Sequence, residues 1–553
     1  MNYESLVFWY AKQVFPWYYI IICSLTLLLF MQRVRDSLKL LAALFMVAAI
    51  LISPHILIKG FIVFDTYPYT ADVAFLINHG HIAWIHRLGT TPGYAIIYAI
   101  FSLVTNLSPY ILVKAFPTFI LITMAPLLAS IPRNKKLRPL MVVLPFAFFI
   151  NQPINFHRAT LFLPYIPLAI LLLKHSLKRR ELRMLPLVAL TFTSASSVYP
   201  MTLIIMPMLI VGLSLIMLVG VRKASTNNLS LRGLSMYVLV FIFSTLMYYM
   251  FFSLGGFIVN KDLQYILGNI LNELKHLVIK PPTEIIHQGA YMAQGVTTEV
   301  KLVMILRVAV LGAITLMTSL CVFIWLLKTK QKQLFRAFLA YLWLIALTSL
   351  GAASFLLHYK GFPLKFLYEY VLLSAITFVV LLEELVIHTP VRRLIKVVIP
   401  AILAATLVFM PLISYASLPI IHPQLAELEA SKFAARFCEW TYEKPHCNKL
   451  VYVEYSSPWN LDLLAYGRNV ISFMQTDYST LIDEIKLQDI VSNYPILITS
   501  RFILRDYYIV HEVRHSVVLS NAIKRLLCTK SLVYSSIGKD LSLRSVEYSL
   551  LFV

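Results

Sequence analysis

The sequence predicts a polytopic α-helical membrane protein with a soluble α/β domain after its last helix. Of the 553 residues, 59% are hydrophobic and 13% are charged, whereas soluble domains carry about 25% charged residues. Apolar runs long enough to cross about 30 Å of hydrocarbon recur from Trp17 to Tyr415, and short basic loops separate them. We therefore predict a transmembrane domain over residues 1–415 and a soluble domain over residues 416–553.

Six short loops between the apolar runs hold 22 of the 48 Lys and Arg residues in 50 positions, with only Asp36 and Glu181 as acids. They are residues 32–39, 133–138, 174–183, 222–232, 328–336 and 391–396. Such a basic excess is typical of cytoplasmic loops, so these six are predicted to face inward. The net charge of +22 then reflects membrane topology and does not indicate nucleic-acid binding.

The apolar runs predict about twelve membrane-spanning helices. They cover residues 17–31, 40–58, 110–131, 139–151, 158–173, 184–196, 199–220, 233–254, 307–327, 337–357, 366–388 and 395–415. A further apolar segment, residues 91–109, would move the basic loop 133–138 to the outer side if it crossed the membrane. We interpret it as juxtamembrane or partly inserted, and a thirteenth crossing is the alternative.

The tail after residue 415 has 14 basic and 14 acidic residues, so it lacks the basic excess of the inner loops and is predicted to be extracytoplasmic. The segments KLVYVEY, NVISFM, PILITS and HSVVL have the composition of short strands, with helical stretches between them. Cys438 and Cys447 are disulfide candidates in an oxidising exterior, although Cys528 is a rival and three free thiols are the alternative.

An aspartate, Asp65, ends an apolar run and opens the predicted outer loop, residues 60–92. Helix signals follow it directly, with Pro68 in a first turn and Gly80 as a stop. Asp72 lies two helical turns later, which puts both acids on one helix face. This spacing suits one catalytic base and one acid that orients substrate or metal. The alternatives are a plain helix cap at Asp65 and a solvated helix face.

Metal binding is a second hypothesis for this loop, which also contains His79, His81 and His86. Gly80 interrupts the geometry of these histidines, so a bound metal is not predicted. The sequence carries no cofactor motif and leaves a divalent metal as an alternative.

The order of these features resembles the GT-C superfamily of membrane glycosyltransferases, and archaeal-type members in particular. Asp65 in FDTYPYTADVAF matches the catalytic aspartate of the first outer loop, and Pro92 and Gly93 match the Pro-Gly that opens the next apolar helix. Lys114 in VKAFP and Lys365 in GFPLKFLYEYVLL stand where the family has basic residues. The adjacent acidic pair and the WWDYG-type signature of some members are absent.

The resemblance implies transfer of a sugar from a polyprenyl-phosphate donor to a glycan, lipid or protein acceptor on the outer face of a prokaryotic cell membrane. Asp65 would be the general base, with inversion at the anomeric carbon, and Asp72 the second acid. The expected phosphate-binding cations are Lys114, Arg158 and Lys365, and each has an alternative role as an interfacial snorkelling residue.

Two other classes of protein compete with this interpretation. A polytopic transporter or lipid flippase would also show many spans, but it usually carries ionisable residues deep in its helices and inverted repeats. A non-catalytic membrane scaffold would use Asp65 only as a cap.

Overall fold

The structure is a computed structural model. It describes residues 17–31, 33–57, 66–80, 91–149, 158–179, 184–199, 202, 239–240, 242–244, 248, 298–328, 367–386, 401–409, 450–453, 473–476, 496–500, 532–540 and 545–552. Most of these residues are helical, and a five-stranded sheet lies in the C-terminal part.

The observed helices coincide with the apolar segments of the sequence. In chain order they are α1 (Trp17–Phe30), α2 (Asp36–Leu57), α3 (Thr66–His79), α4 (Gly93–Thr105), α5 (Pro109–Ser130), α6 (Arg138–Phe148), α7 (Arg158–Phe162), α8 (Tyr165–Arg179), α9 (Leu185–Val198), α10 (Thr298–Lys328) and α11 (Leu367–Val386). Residues 401–409 are also helical. The predicted spans over residues 199–220, 233–254 and 337–357 lie wholly or mostly outside the described residues.

Among the described residues, two helices are long and apolar enough to cross a membrane, judged by length and composition alone. They are the 20-residue stretches Asp36–His55 of α2 and Ile111–Ser130 of α5. Twenty residues of α-helix span about 30 Å, the thickness of the hydrocarbon layer. Less than half of either apolar window is buried inside the protein, at 39% and 44%. Both helices therefore present apolar surface outward.

The segment 91–109 forms the 13-residue helix α4 and then turns into α5. Asn106 ends α4 in the left-handed conformation, and the Ser108 side chain accepts a hydrogen bond from the Ile111 N–H at the start of α5. Thirteen residues extend only about 20 Å, less than the hydrocarbon layer, and the same holds for the apolar helices α1, α6 and α9. The juxtamembrane interpretation and the thirteenth crossing therefore both stay predictions.

The predicted continuous helix over residues 158–173 is instead divided into α7 and α8 by a turn at Leu163 and Pro164. Pro164 lies in this turn, and a proline disfavours the helical conformation in the residue before it.

The buried centre of the helical part is formed by α6 and α11. Residues 141–148 of α6 and 371–379 of α11 are all buried. The two helices run antiparallel, because the Glu383 carboxylate accepts hydrogen bonds from the backbone N–H groups of Arg133 and Asn134, while the Phe149 and Tyr368 rings meet at 5.7 Å. The C-terminal end of α11 therefore lies beside the basic loop 133–138, and its first turn lies at the opposite end.

The neighbouring helices α10 and α11 run parallel. The Thr315 and Tyr370 hydroxyls share a hydrogen bond, and further along the Thr318 hydroxyl donates to the Ser374 carbonyl at 3.4 Å. Two parallel helices start at the same end of the bundle, so the chain between α10 and α11 must cross back to that end. The predicted span over residues 337–357 lies in that connection, outside the described residues.

The C-terminal sheet has five strands, in the order β2-β1-β3-β5-β4. The strands are β1 (Leu450–Val453), β2 (Phe473–Thr476), β3 (Ile496–Ser500), β4 (Leu532–Asp540) and β5 (Ser545–Phe552). The first three overlap strands predicted from the sequence, and β1 pairs in parallel with β2 and β3. The antiparallel pair of β4 and β5 was not predicted, and the predicted strand HSVVL lies outside the described residues.

Two glutamates on α11 lie in contrasting surroundings and give a matched test of the core. Glu383 accepts the two backbone N–H groups, whereas Glu369 is fully buried and neither of its carboxyl oxygens has a hydrogen-bond partner among the described residues. We expect Glu383→Leu to destabilise the protein by about 1–3 kcal/mol, because two donors lose their acceptor, and Glu369→Leu to stabilise it by a similar amount. Thermal unfolding in detergent measures both. An earlier melting of the Glu369→Leu variant would contradict the second expectation.

Candidate active site

The candidate site lies where α2, α3, α4 and α5 pack together, with α3 against α4 and α5, and α5 against α2 and α4. The predicted base, Asp65, lies outside the described residues, and its role stays a prediction. The helix predicted to follow it is confirmed, since α3 begins at Thr66 and the chain turns at Gly80 with φ +68°. That positive φ is a conformation that glycine adopts without steric cost.

Asp72 is the described acid of this site, and it is buried with 6% of its surface exposed. The Tyr94 hydroxyl of α4 donates a hydrogen bond to Asp72 Oδ2. The ring of Tyr69, on α3, meets the Tyr94 ring edge-on, with centroids 5.2 Å apart. A buried carboxylate requires such a donor. This contact suits the predicted role of the second acid, which is to orient rather than to take the proton.

Close approach of α4 to α9 explains why a glycine starts α4. A Cβ atom built on Gly93 would lie 2.4 Å from Ser197 Oγ and 2.9 Å from the Ser197 carbonyl oxygen. Any larger residue would push α4 away from α9. The close contact between Gly93 and Ser197 therefore explains why glycine suits the predicted Pro-Gly start of this helix. The same contact fixes the position of Tyr94, the next residue, relative to α9.

The buried face of α4 packs against α3 and α5. Tyr94, Tyr98 and Ser102 follow one another at four-residue spacing, and all three are buried. The Tyr98 ring packs edge-on against Phe116 of α5, with centroids 5.2 Å apart. The helix α4 thus packs against both α3, which carries Asp72, and α5, which carries Lys114.

Lys114, a predicted phosphate-binding cation, is half-buried on α5. It lies five residues after Pro109, the first residue of α5, or about 7.5 Å along the helix. The His55 Nε2 atom lies 3.1 Å from Thr118 Oγ1, one turn from Lys114 on the same helix. The structure therefore brings His55 of α2, which the sequence did not single out, to the same part of α5 as Lys114.

The other predicted site residues are not described at side-chain level. Arg158 is the first residue of α7 and His79 the last of α3, but their side chains are outside the description. Lys365, Cys438, Cys447, His81 and His86 lie outside the described residues altogether. Within the residues that are described, no group of three His, Cys, Asp or Glu side chains is arranged to hold a metal ion.

The site contains functional candidates that sequence reasoning missed: His55, Tyr94 and Tyr98. The first had a weak signal, because a histidine next to Pro54 interrupts an otherwise apolar helix. The tyrosines had none, since aromatic residues are common in apolar segments.

Comparisons with known protein families and with curated proteins find no match for this chain.

Proposed function

We propose that the chain is a polytopic membrane glycosyltransferase, which moves a sugar from a polyprenyl-phosphate donor to an acceptor hydroxyl on the outer face. The observation that carries the proposal is that a buried, hydrogen-bonded acid and a half-buried cation lie on two helices that pack together, α3 and α5. Such a reaction needs a group that takes a proton and a charge that neutralises the leaving phosphate.

In the proposed reaction the acceptor oxygen attacks the anomeric carbon as the bond to the lipid phosphate breaks. Asp65 takes the acceptor proton, and the phosphate leaves as an anion that Lys114, Arg158 and Lys365 neutralise. A single displacement inverts the anomeric configuration. The hydrogen bond between Asp72 and Tyr94 helps to hold α3, and with it the segment that carries Asp65.

The proposed protein is a multi-pass protein of the cell membrane with its C-terminal domain outside. Support comes from the antiparallel packing of α6 and α11. This packing places the C-terminal end of α11 beside the basic loop 133–138. In this topology that loop is cytoplasmic, and the His55 end of α2 and the Lys114 end of α5 face the outer leaflet, where a lipid-linked donor would be held.

The test is turnover by the full-length protein in lipid nanodiscs, with radiolabelled hexosyl and pentosyl polyprenyl phosphates and a crude extract of outer-face glycans and lipids as acceptor. We expect release of polyprenyl phosphate and label in a new product of inverted configuration. Movement of labelled lipid between the leaflets of proteoliposomes without its consumption would support the transporter or flippase alternative. No consumption of any donor would overturn the proposal.

A further inference from the structure

We infer that the C-terminal domain binds a neutral, hydroxyl-rich glycan at the carboxyl ends of its parallel strands β1 and β3, and that this glycan is the acceptor of the proposed reaction. The role as acceptor rests on the proposed function. The binding site itself follows from the topology and register of the sheet, in a domain for which the sequence predicted no ligand.

The order of the strands indicates where this sheet binds a ligand. In the order β2-β1-β3, the chain passes from β1 to β2 on one side and then to β3 on the other side of β1. Both pairings are parallel. Right-handed crossovers place two connections of this kind on opposite faces of a sheet. Open α/β sheets bind ligands at the carboxyl ends of the two strands between which the direction of winding reverses, which here are β1 and β3.

The parallel strands end almost level with one another. Val453, the last residue of β1, pairs with Thr476, the last residue of β2. The register of β1 with β3 pairs Tyr452 with Ile498, so Ser500, the last residue of β3, stands one row beyond the end of β1. The three carboxyl ends therefore form one edge of the sheet, and Ser500 is the residue of β3 that passes the end of β1.

The antiparallel hairpin of β4 and β5 continues past this edge. Ser549 of β5 pairs with Ser500, and four further pairs of the hairpin follow, from Ile537 with Tyr548 to Asp540 with Ser545. At about 3.4 Å per residue, the hairpin extends about 14 Å beyond the last residue of β3. It therefore forms one side of the crevice beyond the ends of β1 and β3.

Three serines stand in one row of the sheet at the base of this hairpin extension. They are Ser500 of β3, Ser549 of β5 and Ser536 of β4. Residues paired across neighbouring strands belong to the same face of a sheet. A serine hydroxyl both donates and accepts hydrogen bonds, as do the hydroxyl groups of a sugar. A row of serines at the ligand-binding edge thus favours a glycan.

Loop composition and charge argue against a nucleotide, the ligand of many sheets of this kind. In dinucleotide-binding sheets the turn after the first strand is glycine-rich and approaches the phosphates. The sequence after β1 is EYSSPWN, which has no glycine and begins with an acid. On the hairpin extension, Lys539 is accompanied by Asp540 and Glu547. A phosphate would meet no excess of cations there, whereas a neutral glycan requires none.

Saturation-transfer NMR on the full-length protein in nanodiscs tests the inference. The probes are neutral oligosaccharides of glucose, mannose and galactose, with UDP and NAD as competitors. We expect one of the oligosaccharide series to bind and neither nucleotide to displace it. The double variant Ser500→Ala/Ser549→Ala should weaken this binding about tenfold, because hydrogen bonds to the sugar are lost. In the transfer assay, this variant should raise KM for the oligosaccharide acceptor and leave kcat unchanged.

Ser535→Ala is the matched control. Ser535 directly precedes Ser536 in β4, so it belongs to the opposite face of the sheet, and this variant should bind the oligosaccharide as wild type does. Absence of oligosaccharide binding, displacement by a nucleotide, or an equal affinity in the double variant and in wild type would overturn the inference alone. Binding that the double variant weakens, in a protein that consumes no polyprenyl-phosphate donor, would refute the proposed function and leave the glycan site standing.

Discussion

Replacing Asp65 with asparagine is expected to lower the rate of sugar transfer by about 10²- to 10⁴-fold, the usual contribution of a positioned general base. Asparagine keeps the shape of the side chain and removes its basicity. The acceptor hydroxyl then has no group to take its proton as it attacks the anomeric carbon. Donor binding should change little, because the phosphate contacts are made by cations. The measurement is kcat in nanodiscs, together with donor affinity by calorimetry.

Asp36→Asn is the matched control for this experiment. Asp36 lies in the first turn of α2, within the basic segment 32–39 and at the opposite end of the helix from His55. This variant should transfer sugar at the wild-type rate. An Asp65→Asn protein that folds, binds donor and retains full kcat would show that Asp65 is only a helix cap.

Replacing Gly93 with alanine is expected to destabilise the protein by about 1–3 kcal/mol or more, as overpacking of a buried contact does. The added methyl group would lie 2.4 Å from Ser197 Oγ and 2.9 Å from the Ser197 carbonyl oxygen. A side chain can rotate away, but a helix backbone cannot, so α4 must shift from α9. Tyr94 would move with it and weaken its bond to Asp72. Thermal unfolding in detergent measures the loss.

Gly312→Ala provides the contrasting case, because a Cβ atom at Gly312 in α10 meets nothing within 4 Å. Alanine in an exposed helix position is favoured over glycine by about 1 kcal/mol, so this variant should melt at the wild-type temperature or above it. Ser197→Gly should recover only part of the stability lost in Gly93→Ala, since the carbonyl contact remains. Full stability of Gly93→Ala would mean that α4 and α9 do not pack this closely.

Local sequence signals predicted several segments of the candidate site and several strands of the C-terminal sheet. In the helix Thr66–His79, Pro68 lies in the first turn and Gly80 directly follows the last residue, as predicted. The Pro-Gly pair coincides with the start of α4, and KLVYVEY and PILITS coincide with β1 and β3. These features depend on backbone preferences within a few residues, which composition and spacing record directly.

Two features were not predicted from the sequence, the β4–β5 hairpin and the burial of Glu369. The β4 and β5 strands, LVYSSIGKD and SVEYSLLF, combine apolar and β-branched residues with several Ser, Gly and charged residues, so their strand signal is weaker than that of KLVYVEY or PILITS. Glu369 had a visible signal, an acid inside an apolar run, yet only the structure gives its burial.

By itself the sequence determined where apolar helices form, which loops are basic and that a helix follows Asp65, since each of these depends on neighbouring residues. Only the tertiary structure decided the contacts across the chain: Asp72 with Tyr94 at 22 residues' separation, His55 with Thr118 at 63, and Asn134 with Glu383 at 249. Helical periodicity indicates which face of a helix is buried, but it does not specify which helix covers that face. The partner is fixed by packing of the whole bundle, and the polar groups of the candidate site are paired only there.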